Sequence, residues 1–285
     1  NYRGAITYYF NCFNDHPLKT FDREKNIEFY DYLATKVEYR NKPLSRETQN
    51  TLMRYLQTFL TWCYDNEMID KKFKLKRIAV PKRDIETFSI KNLQTLKLHI
   101  AKRLKIEQRP REIINLKNMQ RAFYMASNSL LRLGALDAML ISWIDLEDRI
   151  IRVRSNEERN FENKKLKQPN KPINQQLYDF LEQDLSSRNP KEIYFLDNGY
   201  GQPWYSDKSD VSSYATKLCK ECNLPKLKPF HWGMRGTMIT WLLNNGAKVT
   251  DVQQLADHDS VETTMKYFNS RTVQQKNAVD TLPKI

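Results

Sequence analysis

Hydrophobic residues recur every three or four positions over most of the chain, and this spacing predicts a mainly helical protein. In the first part, from Tyr2 to about Phe73, the helical stretches are separated near Gly4, Pro17 and Pro43. Glycine and proline interrupt helices, so we expect several short helices here and not one long one.

The clearest predicted helix begins near Ser45. Its apolar residues share one face at three- and four-residue spacing: Leu52, Tyr55, Leu56, Phe59, Leu60 and Cys63. Arg46 and Arg54 lie elsewhere on the same helix. This helix is therefore expected to pack on one side and to present positive charge on another.

The second half of the chain predicts further helices and a small sheet. Helical patterning restarts at Ser89, and a long apolar region over residues 119–141 indicates buried helices. Residues 150–154 alternate like a strand, and the polar, lysine-rich stretch 155–171 predicts a basic hairpin before order resumes at Pro172. Helical patterning then returns in three stretches: residues 175–185, 212–222 and 237 onwards. The whole pattern predicts a mainly α protein with a small antiparallel sheet.

The chain carries a strong positive charge. Its 285 residues include 47 Lys and Arg against 34 Asp and Glu, a formal net charge of +13, and they also include 13 Phe, 15 Tyr and 5 Trp. Charge spread over the whole length among aromatic residues favours a folded protein that binds nucleic acid. No run approaches the roughly 18 apolar residues that span a bilayer, and no signal peptide is evident. We therefore expect no membrane partner and a cytoplasmic, nucleoid-associated protein.

Positive charges are densest between residues 71 and 83, where the helical period stops. This change predicts a basic linker over residues 71–88, between a helical domain at 1–84 and a second domain at 89–285. A cationic linker is well suited to lie along a phosphate backbone. Its candidate contacts are Lys74, Lys76, Arg77, Lys82 and Arg83.

The cysteines argue against a disulfide framework and against a metal centre. Four cysteines in 285 residues are too few and too unevenly placed to staple the fold, so reduced thiols are expected. Cys219 and Cys222 have zinc-like spacing, but no second pair follows them. The sequence predicts no metal site and no cofactor.

The C-terminal residues suggest chemistry on a phosphodiester. Arg235, His258 and Tyr267 each stand beside an apolar helical stripe. Metal-free strand cleavage needs a nucleophile, cations around the phosphorane and an acid for the leaving oxygen. Tyrosine supplies a nucleophile when cations stabilise its phenolate, and arginine donates two hydrogen bonds to adjacent phosphate oxygens. Lysine or histidine can serve as the acid.

These motifs resemble those of the tyrosine recombinases, the phage integrases and their relatives. Arg235-Gly236-Thr237 matches the family's arginine-centred helix start, and residues 252–258 resemble its second histidine motif, with Asp257 where a glycine is usual. Tyr267 follows His258 by nine residues, behind a Thr-Thr pair. Upstream, Trp143-Ile144-Asp145-Leu146 precedes a strand and a basic hairpin, which is the family's layout. The resemblance implies a helical core-binding domain and a catalytic domain that together clamp duplex DNA.

The resemblance also implies roles for individual residues. Tyr267 takes the place of the nucleophile and Arg235 that of a phosphate clamp. His258 takes the place of a donor that either contacts the phosphate or supports a residue that does. Lys164 in the hairpin is the first candidate for the acid that protonates the leaving 5′ oxygen. Lys165 and Lys167 are rival candidates for the same role, because hairpin length varies in the family.

Two positions depart from the family pattern. The family's first arginine should stand at position 134, where this chain has Gly134, although Asp137 occupies the acidic position three residues later. Arg132 is one candidate replacement, and an ion pair between Arg132 and Asp137 is the alternative; Arg152 and Arg154 are further cations within reach. Trp232 replaces the usual histidine before Arg235. His231 lies one residue earlier, with a phosphate contact and a structural role as its two alternatives.

The resemblance implies a site-specific recombinase or integrase of a mobile element, acting through a 3′-phosphotyrosyl intermediate. The expected partners are double-stranded DNA with an inverted-repeat site, three further copies of the chain in a tetramer on synapsed DNA, and accessory DNA-bending factors. Two alternatives stay open. One is a DNA-binding protein with the recombinase fold and weak or no strand transfer, which the substitutions at Gly134 and Trp232 motivate. The other is an enzyme like the type IB topoisomerases.

Overall fold

A computed structural model describes residues 2–14, 17, 21–39, 41–75, 78–80, 85–162 and 168–268. Contacts divide the chain into two compact units, Asn1–Arg83 and Asp84–Ile285. None of the helices within the described residues is long and apolar enough to cross a membrane.

The first unit contains three helices, α1 (Tyr2–Phe13), α2 (Arg23–Thr35) and α3 (Arg46–Asp65). Helix α3 begins where the sequence predicted, since the Ser45 hydroxyl accepts a hydrogen bond from the backbone N–H of Thr48 and so caps the helix. The three helices enclose an apolar core that includes these buried residues: Tyr9, Phe29, Leu33, Met53, Leu56 and Leu60. Arg46 and Arg54 lie on the exposed side of α3.

The segment that follows α3 is held against it by the side-chain amide of Gln57. The Gln57 amide donates to the carbonyl of Phe73 at 2.5 Å and accepts from the N–H of Leu75 at 2.6 Å. Lys74 between them is exposed. The helical period ends here, as predicted. Four predicted linker contacts lie outside the described residues: Lys76, Arg77, Lys82 and Arg83.

The second unit contains eight helices among its described residues. These are α4 (Ile90–Ile106), α5 (Pro110–Ser129), α6 (Leu133–Asp137), α7 (Gln175–Ser186), α8 (Lys208–Glu221), α9 (Gly236–Asn244), α10 (Val249–Leu255) and α11 (Val261–Met265). A π-helical turn, Pro229–Arg235, runs directly into α9. The apolar region predicted over residues 119–141 contains most of α5, whose inner face is buried, and the short helix α6.

A small antiparallel sheet accompanies these helices. Strands β1 (Ile144–Asp145), β2 (Ile150–Arg152) and β3 (Asn170–Pro172) pair in the order β1-β2-β3. The mainly α fold with a small antiparallel sheet is therefore confirmed.

The hairpin differs from the predicted polar loop at both ends. Within residues 155–171, a short turn at Glu157–Arg159 is closed by a bridge between Asn156 and Phe161. At the other end, Lys171 belongs to β3, pairs in register with Ile151 and is only 1 % exposed. The expectation that order resumes only at Pro172 was wrong, because β3 begins at Asn170 and turns Lys171 to its inner face, between the exposed Asn170 and Pro172.

Two apolar clusters organise the second unit. The larger surrounds α5 and includes these buried residues: Leu96, Leu116, Met119, Met125, Leu177 and Leu218. The smaller joins the end of α5 to α9 and α10 through Leu130, Ile239, Leu243 and Val252, and it also contains Tyr267. The predicted nucleophile therefore packs inside an apolar cluster, next to the helices that carry the other C-terminal motifs.

Candidate active site

The structure brings the three C-terminal motif residues together. The rings of His258 and Tyr267 stack with centroids 5.7 Å apart and planes 17° apart. Trp232 lies on Tyr267 as well, at 5.9 Å and 38°. Arg235, His258 and Tyr267 are 2 %, 8 % and 4 % exposed. Arg235, His258 and Tyr267, which are separated by up to 32 residues in the chain, thus form one buried cluster.

Arg235 is fixed by main-chain carbonyls. Its guanidinium donates to the carbonyl of Leu130 at the end of α5 and to the carbonyl of Ala256 after α10. Burial lowers the pKa of Arg235 to about 10, so the side chain is still charged at neutral pH. Two of its five N–H groups are held by carbonyls, which orients the guanidinium plane and leaves donors for a phosphate.

Arg132 also belongs to this cluster, although it precedes the expected position by two residues. It stands at the start of α6, is exposed, and donates from Nη2 to the carbonyl of Asp257 at 2.7 Å. Its charge is close enough to lower the pKa values of His231 and His258 and to oppose the rise in the pKa of Tyr267. The backbone of α6 therefore places a cation beside the tyrosine without an arginine at Gly134.

Asp137 does not pair with Arg132, so that alternative from the sequence was wrong. Its carboxylate instead accepts hydrogen bonds from Arg159, at 2.5 Å from Nη2 and 3.2 Å from Nε. Burial raises the pKa of Asp137, and the Arg159 hydrogen bond opposes that rise. A β-carbon at Gly134 would meet the ring of Phe161 at 3.8 Å, an ordinary contact. Asp137 is thus satisfied by the hairpin, and Arg132 donates to the carbonyl of Asp257 instead.

The two other candidate cations have their own partners. Arg152 forms ion pairs with Asp145 and Asp148 beside the sheet. Arg154 donates to the carbonyl of Val153 at 3.0 Å. Neither contributes to the charge environment of the tyrosine in the way that Arg132 does. Arg132 is the candidate replacement that the structure brings to the cluster.

Both histidines have lowered pKa values. The Nδ1 atom of His258 shares a hydrogen bond with the buried hydroxyl of Thr264 at 2.9 Å. Burial, with Arg235 and Arg132 next in effect, lowers the pKa of His258 to about 4. His231 packs edge-on against Trp232 at 4.2 Å, and burial lowers its pKa too. At neutral pH the His258 ring therefore adds no positive charge to the site, and it can accept as well as donate a proton.

Burial and nearby positive charge have opposite effects on the pKa of Tyr267. Burial raises the pKa of its phenol, whereas Arg235 and Arg132 lower it. Phenols become better nucleophiles as nearby cations stabilise the phenolate. A glycine at position 236 keeps this region open, because a β-carbon there would lie 3.5 Å from the Tyr267 ring and 3.1 Å from the carbonyl of His231.

Lys171 is a charged residue of this region that the sequence reasoning missed. Its ammonium lies 2.6 Å from a carboxylate oxygen of Asp257 and donates to the carbonyl of Leu255 at 2.7 Å. Burial lowers its pKa, and Asp257 opposes that effect. The signal in the sequence was the alternation of Lys171 with the apolar Ile173, which is also buried and lies one residue beyond β3.

Some predicted site residues are not placed. Lys164, Lys165 and Lys167 lie outside the described residues. Cys219 and Cys222 are free thiols, and burial raises the pKa of each. Among the described residues no group of three or more His, Cys, Asp or Glu side chains is placed to hold a metal ion.

The second unit combines helices with a small antiparallel sheet, and its buried tyrosine lies among two arginines and two histidines. This fold and this set of side chains are typical of the tyrosine recombinases. Residues 96–273 match the phage integrase family. The chain belongs to this family. A probable integrase/recombinase of Acholeplasma phage L2 is 29 % identical over 127 residues, which are 45 % of this chain and 40 % of that protein. The match thus spans less than half the length of that relative.

Solved structures of similar fold include two recombinases bound to DNA. The Tn1549 transposon integrase, in complex with circular intermediate DNA, superposes with a TM-score of 0.71 at 18 % identity, over 98 % of this chain and 91 % of that one. The XerH site-specific recombinase, bound to a palindromic difH substrate, gives 0.71 at 14 % identity, over 98 % and 78 %. At these identities the superpositions establish the fold of the chain.

Proposed function

We propose that the protein is a site-specific DNA recombinase or integrase of a mobile genetic element. One observation carries the proposal: Tyr267 packs against His258 and is influenced by the charges of Arg235 and Arg132, all within a single chain. Each protomer therefore holds a nucleophile together with two cations for a phosphate. The phage integrase family supports the same activity.

The reaction proceeds in two transesterifications. The Tyr267 phenol loses its proton and its oxygen attacks the scissile phosphorus, which forms a 3′-phosphotyrosyl bond and breaks the bond to the 5′ oxygen. That oxygen takes up a proton and leaves as a 5′ hydroxyl. The 5′ hydroxyl of a partner strand then attacks the phosphotyrosine and releases Tyr267. Each step replaces one phosphoester by another, so no external energy source is consumed.

The proposed roles follow the positions of the side chains. Arg235 and Arg132 hold the two non-bridging oxygens, whose negative charge grows in the phosphorane. An N–H of His258, and one of His231 next to Trp232, can donate to the same phosphate, and the unprotonated nitrogen of such a ring is the candidate acceptor for the Tyr267 proton. Lys164 is our candidate for the acid that protonates the leaving oxygen, with Lys165 and Lys167 as its rivals. Asp137 acts on the site through Arg159, which it holds beside α6.

Duplex DNA is the proposed partner. The exposed cations Arg46, Arg54 and Lys74 of the first unit are candidates for phosphate contacts, and the net charge of +13 favours such contacts. Residues 1–84 would then bind the core site, residues 89–285 would cut it, and the basic stretch 71–88 would link them along the backbone. Inverted repeats, a tetramer on two synapsed duplexes and a DNA-bending factor complete the proposed assembly, at the nucleoid in the cytoplasm.

A covalent adduct tests the proposal. A duplex isolated from a randomised pool by its binding to the protein is nicked close to each central phosphate in turn, so that cleavage releases a short oligonucleotide and traps the phosphotyrosine. We expect an adduct that resists denaturing electrophoresis with the unaltered protein and is absent with Tyr267→Phe. The phenylalanine ring preserves the stacking on His258, so the variant is a matched control for folding and binding.

Two results would redirect the proposal. Tight binding of the selected duplex without an adduct at any nick would favour a DNA-binding protein with this fold, which is the alternative that Gly134 and Trp232 motivate. Relaxation of a supercoiled plasmid that lacks the selected sequence would instead favour topoisomerase-like activity. Rejoining of the adduct to a second duplex distinguishes the recombinase from both.

A further inference from the structure

The turn after α10 is held by cations from three separate elements. Lys171 on β3 donates to the carbonyl of Leu255, Arg235 before α9 donates to that of Ala256, and Arg132 before α6 donates to that of Asp257. Three consecutive carbonyls thus each accept from a different positive side chain. Carbonyls at a helix C-terminus carry partial negative charge, so this turn is a natural anchor for cations.

Asp257 is the unusual residue of the turn. Its φ of +47° lies in the left-handed region, which aspartate tolerates better than most residues and glycine adopts without strain. Its carboxylate is close enough to Arg235 and His258 to oppose the fall in their pKa values, and a free negative charge there would repel DNA. The carboxylate instead lies 2.6 Å from the ammonium of Lys171, which is 1 % exposed. The pair neutralises both charges.

We propose that Lys171 is a positioning residue for the phosphate site: it neutralises Asp257 and fixes the turn whose Asp257 carbonyl holds Arg132. This inference rests on the proposed function, because it takes Arg132 as a phosphate clamp. Lys171 is buried and the tyrosine cluster does not include it, so it acts through the turn and not on the DNA.

The pair explains how the site uses a cation that stands two residues from the expected position. Arg132 is exposed and has a long, flexible side chain, so without an anchor it samples many rotamers. The hydrogen bond to the Asp257 carbonyl limits those rotamers. That carbonyl is oriented only while the residue keeps its left-handed conformation, and the buried ion pair holds the side chain of the same residue.

Alternatives to this role make different predictions. If the ion pair were only structural, loss of Lys171 would lower thermal stability, and its effect on catalysis would be independent of Arg132. If Lys171 contacted DNA, its loss would weaken binding whether or not Asp257 were present. The proposal requires instead that the effect of Lys171 depend on both Asp257 and Arg132.

The test combines Lys171→Met, Asp257→Gly and Arg132→Ala with single-turnover cleavage of the nicked duplex at saturating protein. Methionine keeps the length of the side chain without its charge, and exposed Lys191→Met is the matched control. We expect Lys171→Met to cut about 100-fold more slowly, as misplacement of a catalytic group by about 1 Å would cause. Adding Asp257→Gly should restore most of the rate, because no unpaired carboxylate remains.

Measuring Lys171→Met in a protein that also carries Arg132→Ala tests whether Lys171 acts through Arg132. There, Lys171→Met should cause only a small further loss of rate, since the residue that it positions is gone and only the unpaired Asp257 carboxylate still acts. A full additional loss in that background, or no recovery with Asp257→Gly in a folded double variant, would overturn the proposal. Recovery in the double variant also answers the concern that the single variant merely unfolds.

The affinity for DNA, measured without catalysis, tests this inference separately from the proposed function. If the unaltered protein forms no adduct, the proposed function fails, and the affinity for the selected duplex is measured instead. The Lys171→Met variant should then bind more weakly, because the Asp257 carboxylate is unpaired beside the phosphate, and Asp257→Gly should reverse the loss. Weaker binding that Asp257→Gly does not reverse, or unchanged binding in both variants, would refute the pairing role.

Discussion

Replacement of Arg132 by alanine is the most informative single perturbation of this site. Gly134 removes the arginine expected from the family pattern, and Arg132 is the cation that the structure places beside Tyr267 instead. If Arg132 is a phosphate clamp, the variant loses one of two guanidinium groups that face the phosphorane. If it is a surface residue that happens to lie nearby, the variant loses almost nothing.

The magnitude follows from the contacts of Arg132. Loss of one oriented donor to a developing oxyanion costs roughly 2.7–4 kcal/mol of transition-state stabilisation, which is about 10² to 10³ in rate. The cost to folding is far smaller, since the side chain is exposed and makes a single hydrogen bond to a carbonyl. Such a bond contributes about 0.5–1.5 kcal/mol. Cleavage should therefore fall by orders of magnitude in a protein that melts within a few degrees of the original.

The assay is single-turnover cleavage of the nicked duplex, with binding measured on the same duplex. Arg152→Ala is the matched control, because it removes an arginine whose ion pairs, with Asp145 and Asp148, lie beside the sheet. We expect Arg132→Ala to cut slowly while binding nearly as well, and Arg152→Ala to cut at the normal rate. Arg132→Lys should recover part of the rate, since an ammonium restores the charge without the two-pronged contact.

Two outcomes would refute this reasoning. Cleavage by Arg132→Ala at the normal rate would remove Arg132 from the site and leave Arg235 without a second clamp. Equal losses in Arg132→Ala and Arg152→Ala would show that the assay responds to net charge and not to position. Raising the salt concentration distinguishes a general charge effect, because non-specific phosphate contacts weaken with salt.

Two further predictions concern stability. The His258 pKa of about 4 lies below its value in an unfolded chain, so on acidification the unfolded state takes up the proton first. The free energy of unfolding should therefore fall below pH 6.5, by about 3 kcal/mol at pH 4. Urea titrations of His258→Gln should lack this pH-dependent component. Gly233→Ala should lower the free energy of unfolding by about 1–3 kcal/mol, because the new β-carbon would lie 2.6 Å from Cε2 of Phe88 and overpack the site. Gly134→Ala should instead raise it by roughly 0.5–1 kcal/mol, because alanine is favoured over glycine in a helix and its β-carbon makes only an ordinary contact.

Each of these two predictions is controlled by comparing two proteins. Protonation of carboxylates also changes stability below pH 5, so only the difference between the unaltered protein and His258→Gln reports the histidine; identical pH profiles would contradict a depressed pKa. For the glycines, equal effects of alanine at positions 233 and 134 would contradict the packing difference between them. Chemical denaturation at pH 7 measures both.

The helices and the sheet were predictable because each depends on local patterns. Ser45 and Ser89 cap helices at the residues where the apolar period begins, and Ser89 completes a capping box with Asn92. The spacing of Arg235, His258 and Tyr267 was informative for the same reason, since short helices separate them. These signals need only a few consecutive residues.

The charges that complete the site were not predictable in this way. Whether Arg132 faces Asp137 or the tyrosine depends on Arg159, which reaches Asp137 from 22 residues further along the chain. The position of Lys171 depends on the register of β3 against β2 and on the turn after α10, 84 residues away. Such contacts are decided by tertiary packing, and a single sequence carries no separate signal for them.

The departures from the family pattern at Gly134 and Asp257 both concern the turn after α10. Gly134 leaves the arginine position empty and Asp257 adds a carboxylate, and each taken alone would weaken a phosphate site. Arg132 donates to the carbonyl of Asp257, and Lys171 pairs with its carboxylate. The extra carboxylate is thereby neutralised and its backbone holds the substitute cation. Both departures therefore act at the same turn: its main chain holds Arg132, and its side chain is neutralised by Lys171.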